Sequence, residues 1–291
     1  MFVKSLNSRT MVILDGKEIE NGNAELSLLN RSFRYGDGLF ETIRVYKQKP
    51  LFLPDHFDRL LSGMHFLAFD FDPLVFRKTV ESQIGKLIRL NGITDHGRLR
   101  LQVFRSGGGD YTPSTDIPAY LLEGFPLSGD PYLEPAQLSL TAYTEVGLWP
   151  GPLSRFKTSN SLPYILAASF AKANRFDDAI LFCSDAISEC SSANLFLIRK
   201  QHIFTPPLES ACLDGIMRRQ IFRLAGELKL PVREKKIIET DLLEADECFV
   251  TNTVKGIRPV IRYNARKWEN RYPITRLLQQ SLLRLAESLS G

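Results

Sequence analysis

Between Gly124 and Pro135 the chain reads Gly-Phe-Pro-Leu-Ser-Gly-Asp-Pro-Tyr-Leu-Glu-Pro, with two glycines and three prolines in twelve residues. Proline removes backbone donors and glycine weakens both helix and strand, so no regular element is expected to cross this stretch. It divides the 291 residues into a smaller domain, 1–123, a linker, 124–135, and a larger domain, 136–291. Both domains are of ordinary size. The two sides are patterned differently. On the N-terminal side, Asp15-Gly16 predicts a hairpin over 11–20, and Tyr35-Gly36-Asp37-Gly38 leads into a strand from Leu39 to Val45. Helical spacing covers 55–68 and 73–90, the second closed by Asn91-Gly92, and 98–105 alternates as a strand. An irregular segment with Pro113 and Pro118 follows. On the C-terminal side, strand patterns at 137–144, 179–183, 193–199 and 247–251 interleave with helical patterns at 163–174, 215–228 and 274–289. Interleaving of this kind predicts an α/β domain.

Composition narrows the function classes. Hydrophobic residues make up 44% of the chain, enough for a substantial core. With 37 basic and 33 acidic residues the net charge is only +4, which argues against a nucleic-acid groove but still favours anionic substrates. Arg218, Arg219 and Arg223 read as the solvated side of a helix. Cys183, Cys190, Cys212 and Cys248 form no CxxC pair and have no histidine at zinc-ligand spacing. They are expected to be reduced and mostly buried, as in a cytoplasmic protein. No leader-like stretch and no bilayer-length apolar run is found, so no membrane association is expected. His56, His65, His96 and His202 are scattered, and no metal site is expected.

Four places have the residue types for chemistry. Lys157 lies in Arg155-Phe156-Lys157-Thr158-Ser159-Asn160-Ser161, between an aromatic residue and a helix entrance at Pro163. Partial desolvation there would favour the neutral amine that attacks an aldehyde, while a solvated loop lysine is the plainer alternative. Glu189 sits among small residues before the strand Leu195-Phe196-Leu197-Ile198 and, if buried, needs a partner such as a protonated ring nitrogen; otherwise it is a turn glutamate in water. Leu213-Asp214-Gly215-Ile216-Met217 opens a helix whose start could seat a phosphate, although many ordinary helices begin the same way. Thr251-Asn252-Thr253 ends a strand, as ligand-binding residues of α/β sheets often do, or is a plain polar loop. Period two also places Arg105 on the face of Leu99, Leu101 and Val103, suited to binding a carboxylate or simply reaching water at the strand's end. Gly107-Gly108-Gly109 precedes no helix, so it is read as a mobile flap and not as a nucleotide loop.

The order of these pieces is more specific than any one of them. Tyr35-Gly36-Asp37-Gly38-Leu39-Phe40-Glu41-Thr42-Ile43-Arg44 resembles the entry motif of fold type IV pyridoxal-phosphate enzymes, the class IV aminotransferase and lyase family. His56-x-x-Arg59-Leu60, Lys157, Glu189 with Ser192-Ala193-Asn194-Leu195-Phe196, Asp214-Gly215-Ile216 and Thr251-Asn252-Thr253 follow in the family's order, across residues 12 to 262. The resemblance implies an α/β fold like that of D-amino acid aminotransferase. It has a smaller α+β N-terminal domain and a larger α/β C-terminal domain, with pyridoxal 5'-phosphate between them and a homodimeric assembly. It implies that Lys157 holds the cofactor as a Schiff base and moves the substrate's α-proton, and that Glu189 keeps the ring nitrogen protonated. Arg59, the backbone at Gly215, Ile216 and Met217, and Thr253 would hold the phosphate. Leu213 would pack on the ring, and Phe40 and Arg105 would face the substrate.

Three branches of the family compete: branched-chain aminotransferases, D-amino acid aminotransferases and aminodeoxychorismate lyases. Thr42 stands where branched-chain enzymes carry glycine and resembles the lyases, where a threonine assists proton transfer. Met217 in Gly215-Ile216-Met217-Arg218 is also similar to the lyases, and it removes a hydroxyl from the phosphate seat. Leu162 replaces a tyrosine of the branched-chain enzymes, while Glu41 is shared with the aminotransferases. The expectation leans to a lyase that releases pyruvate and para-aminobenzoate. A transaminase acting on an amino acid and a 2-oxo acid is the alternative, and a non-catalytic cofactor-binding homologue is a third.

Overall fold

A computed structural model describes residues 10–130, 132–133, 135–269 and 271–290. The chain forms two compact units. Of the described residues, the first takes those within 10–130, 156–160 and 286–290, and the second those within 132–155 and 161–285. Lys157 therefore clusters with the N-terminal unit, although the linker expected from sequence places it in the C-terminal domain.

The first unit contains, in chain order, β1 (Met11–Leu14), β2 (Lys17–Glu20), α1 (Arg31–Tyr35), β3 (Gly38–Tyr46), β4 (Lys49–Pro50), α2 (Leu53–Phe66), α3 (Pro73–Leu90), β5 (His96–Arg105) and β6 (Pro118–Pro126). Its six strands form an antiparallel sheet in the order β2-β1-β6-β5-β3-β4. Asp15 and Gly16 both adopt positive φ, at 47° and 80°, the geometry a tight two-residue hairpin needs. One sheet face carries Leu39, Ile43, Val45, Leu99, Leu101, Val103 and Leu122, packed on Phe57, Leu60 and Met64 of α2 and Val80, Ile84 and Leu87 of α3. Phe40 and Thr42, alternating with these residues, lie on the other face beside Arg100 and Gln102 of β5.

β6 overturns part of the expected linker. Gly124, Phe125 and Pro126 complete this strand, whose partners are β1 and β5. Proline at each end and Gly124 in the middle conceal it in the sequence. A Cβ at Gly124 would lie 3.1 Å from Leu99 and 3.2 Å from Leu87, so close packing explains the small residue.

The second unit contains β7 (Leu138–Tyr143), α4 (Leu162–Ala173), β8 (Asp178–Cys183), β9 (Ala186–Cys190), β10 (Asn194–Arg199), β11 (His202–Thr205), α5 (Ile216–Glu227), β12 (Val232–Glu234), α6 (Glu239–Leu243), β13 (Glu247–Asn252), β14 (Gly256–Tyr263), β15 (Arg266–Lys267) and α7 (Pro273–Ser288). Helix α7 ends in residues that cluster with the first unit. The sheet order is β12-β11-β10-β13-β14-β7-β8-β9, with β15 on β14. It is mixed: β7/β8, β7/β14 and β11/β12 are parallel pairs. One face is filled by Leu138, Leu140, Ile180, Ile187, Leu195, Leu197, Val250 and Val260. On β10 and β13 the alternate residues Phe196 and Phe249 stack at 4.9 Å.

Candidate active site

Residues Phe156–Asn160 run alongside β3. The Phe40 N–H donates to Lys157 O at 2.8 Å, the Ser159 N–H donates to Gly38 O at 2.9 Å, and Leu39 and Thr158 form an antiparallel bridge. Phe156 packs into the apolar core, its ring 5.5 Å from that of Phe66. Lys157 is the next residue along this extended stretch, and its Nζ lies 4.5 Å from the centroid of the Phe40 ring. The Arg100 guanidinium lies 3.9 Å from the same ring. Thr42 follows Phe40 by two residues, shares its face, and is opposite Arg100 in register. The amine, an aromatic shelf and a hydroxyl thus share one side of the sheet.

The core side of β3 holds Glu41, only 1% exposed. Arg59 of α2 donates from Nε to Oε1 at 2.8 Å and from Nη2 to Oε2 at 2.6 Å, and His56 Nδ1 lies 2.6 Å from Oε2. Burial alone would raise the Glu41 pKa, but Arg59 and His56 outweigh it and hold the carboxyl at about 2. Burial depresses the His56 pKa, opposed by Glu41, whose carboxylate faces the ring at Nδ1.

In the second unit, β9 carries Glu189, 3% exposed. The Tyr164 hydroxyl of α4 donates to Oε1 at 2.9 Å, the Leu213 N–H donates to Oε1 at 3.1 Å, and Asn194 Nδ2 donates to Oε2 at 3.1 Å. Asn194 Nδ2 also donates to Leu213 O at 2.9 Å, which ties β10 to the segment before α5. Burial and then the Glu189 charge push the Tyr164 phenol far up, so it stays protonated and donates. Gly215 caps α5 with no side-chain bond, leaving the first turn's N–H groups directed out of the helix start. A Cβ at Gly215 would come within 1.8 Å of Asn194 Oδ1, so only glycine lets the two segments meet. Just beyond β13, the carbonyl of Thr253 accepts from the Tyr132 hydroxyl at 2.6 Å, and the Tyr132 hydroxyl also lies 3.8 Å from Met217 Sδ. Leu213, Gly215, Met217 and Thr253 are therefore brought to one end of the unit, with Glu189 beside Leu213.

Residues 38–263 match the family model of amino-transferase class IV. This chain belongs to the class IV aminotransferases. Among the relatives of this class IV chain is a D-alanine aminotransferase of Staphylococcus epidermidis, 27% identical over 286 residues that cover 97% of this chain and 99% of the relative. A branched-chain aminotransferase from Thermoproteus uzoniensis superposes with a TM-score of 0.85 at 27% identity, covering 97% of this chain and 96% of its own. A Legionella pneumophila protein named for 4-amino-4-deoxychorismate lyase activity superposes with a TM-score of 0.82 at 26% identity, covering 91% and 97%.

Class IV aminotransferases are pyridoxal-phosphate enzymes. This class IV chain has what such a group requires: a lysine amine, a buried carboxylate, and a helix start with a glycine approach. The hydroxyl of Thr251 in β13 adds to the fit, because it is buried with no hydrogen-bond partner. No helix of the described residues is long and apolar enough to cross a membrane. Among the described residues no group of three or more His, Cys, Asp or Glu could hold a metal.

The Arg105 guanidinium, expected to face a substrate carboxylate, is engaged within its own unit: Nε donates to Asp116 at 2.8 Å, Nη1 to Asp37 at 2.5 Å and Nη2 to Leu67 O at 2.5 Å, with the group 4.6 Å from the Phe69 ring. It braces β5 against the turn before β3. Arg218 is buried and bonded to Glu234 and Pro206 O, so it is not on a solvated helix side. Of the two alternatives for Glu189, the turn glutamate in water falls: the residue is buried in a strand, and five residues buried on both faces give β9 no alternation to read. Sequence reasoning missed Tyr164 and Asn194 as partners of Glu189, and nothing local in the sequence links them. It also missed the Glu41–Arg59–His56 cluster, which did leave a signal: alternation puts Glu41 on the face of Ile43, where a carboxylate needs a cation.

Proposed function

We propose that this enzyme binds pyridoxal 5'-phosphate through Lys157 and acts at the α-carbon of an amino-bearing acid, most specifically as an aminodeoxychorismate lyase. The observation that carries this reading is the placement of Lys157 Nζ, the Phe40 ring and Thr42 on one face of β3. When bound, pyridoxal phosphate supplies an electron-withdrawing ring that accepts the charge left at the α-carbon. Lys157 would hold the aldehyde and, once displaced by the substrate amine, take the α-proton on Nζ. Glu189, buried and accepting from Tyr164, Asn194 and the Leu213 N–H, would hold a proton on the ring nitrogen. Arg59, fixed by Glu41, would meet the phosphate together with the backbone N–H groups of Ile216 and Met217 and with Thr253. Leu213, its backbone tied to Glu189 and Asn194, would pack against the ring. Thr42 would hand on the proton that elimination of pyruvate requires, leaving para-aminobenzoate.

A second reading is an aminotransferase, in which Lys157 returns the proton and the amino group passes to a 2-oxo acid. Whole-length similarity to a D-alanine aminotransferase favours it. Purified protein supplied with aminodeoxychorismate, and separately with D- or L-amino acids and 2-oxoglutarate, separates the two. Pyruvate and para-aminobenzoate are the products expected for the lyase. Amino transfer without elimination would contradict it.

The protein would act as a homodimer. The exposed side chains of Leu26, Leu28, Leu29 and Phe33 support a partner surface on the first unit. Four free, buried cysteines support a cytoplasmic location.

A further inference from the structure

Helix α5 is twelve residues long, and its first turn offers no hydroxyl: Gly215 caps it, and Ile216, Met217 and Arg218 follow. The nearest strand end does offer one. Thr251 alternates with Phe249, which stacks on Phe196, and with Glu247, which accepts from the N–H groups of Ile274 and Thr275 at the start of α7. All three therefore point to the helix-covered side of β13. Thr251 is paired in register with Asn194. The start of α5 is pinned over this end of the sheet at two points. On one side Asn194 bonds Leu213 O and abuts Gly215; on the other Tyr132 links Met217 to Thr253 O. Thr251 lies between these points, beside Asn194 and two residues before Thr253. It is 1% exposed, and its Oγ1 has no hydrogen-bond partner. A buried hydroxyl left unbonded is costly, so one placed at a helix start that attracts anions indicates a ligand.

We propose that Thr251 is a phosphate ligand, its Oγ1–H donating to the phosphate monoester of the cofactor seated on the first turn of α5. It stands in for the hydroxyl that Met217 lacks. The assignment rests on the cofactor reading above and adds a residue to it.

The test compares the wild type with Thr251→Val, which keeps the branched shape without the hydroxyl, and Thr251→Ser, which keeps the hydroxyl. The full chain, freed of cofactor, is titrated by absorbance with pyridoxal 5'-phosphate and with unphosphorylated pyridoxal. Thr251→Val is expected to weaken pyridoxal 5'-phosphate binding by about tenfold or more, and Thr251→Ser by much less. Pyridoxal affinity is expected to be the same in all three, and the ³¹P signal of the bound phosphate to shift only in Thr251→Val. Thr251→Ala serves the same comparison if the valine variant does not fold. Unchanged pyridoxal 5'-phosphate affinity in Thr251→Val, or equal losses for both ligands, would overturn the assignment. A wild type that takes up neither ligand would overturn the cofactor reading itself, and this assignment with it.

Discussion

Glu41 and Glu189 are both buried carboxylates, yet the two units hold them by different means. In the first unit, Glu41 meets a bidentate arginine and a histidine. In the second, Glu189 receives hydrogen bonds from a phenol, an amide side chain and a backbone N–H. The Arg59 charge offsets that of the Glu41 carboxylate, and the pair anchors α2 to β3. The phenol, the amide and the backbone N–H that donate to Glu189 add no charge of their own. Two carboxylates of similar burial are thus held through different kinds of donor.

The largest effect expected on the first unit is from Lys157→Ala, which should cut turnover by about 10³-fold or more, since the proposed function makes the amine both attachment point and base. A steady-state assay with whichever substrate the wild type turns over in the comparison above checks it. Next comes Glu41→Ala, which strips Arg59 and His56 of their shared partner. A loss of roughly 3 kcal/mol or more is expected in a urea titration at pH 7. The same carboxyl makes a pH prediction. Its folded pKa of about 2 lies below its ordinary value of 4.5, so its contribution is complete above pH 4.5 and fades as pH falls towards 2. His56 acts in the same direction, because its depressed pKa means that the unfolded chain binds the proton first as pH drops below 6.5. Glu41→Gln should flatten the acid limb of the stability curve; an acid limb unchanged from wild type would contradict the ion-pair account.

Glu189→Gln should leave the fold intact and slow α-proton removal by about 10²-fold, read as exchange of the α-hydrogen with deuterated solvent. Loss of stability comparable to Glu41→Ala would erase the contrast between the two acids. The smallest effect is expected for Tyr164→Phe, which removes the phenol donor to Glu189 and should cost about 1–2 kcal/mol of stability. A neutral result there would mean that Asn194 and the Leu213 amide suffice.

Much of this architecture is legible in the sequence where spacing is regular. The helical stripes over 55–68, 73–90 and 163–174 correspond to α2, α3 and α4, and Asp15-Gly16 turns as expected. Illegible elements share a cause. Pro118, Gly124 and Pro126 hide β6, and Pro259 hides β14, because a proline or glycine that one strand tolerates reads locally as a break. The order of Phe40, Lys157, Glu189 and Gly215 is visible in one dimension. The bonds that hold them are not, since Tyr164 to Glu189 and Asn194 to Leu213 depend on which strands pair. Arg105 shows the limit most clearly. Its face follows from alternation, but Asp37 and Asp116, which hold it, come from segments without regular spacing.

The account depends on which amine carries the cofactor. Protein loaded with pyridoxal 5'-phosphate, reduced with borohydride and digested should show the phosphopyridoxyl mass on the peptide containing Lys157. The same mass on any other lysine, or on none, would contradict it.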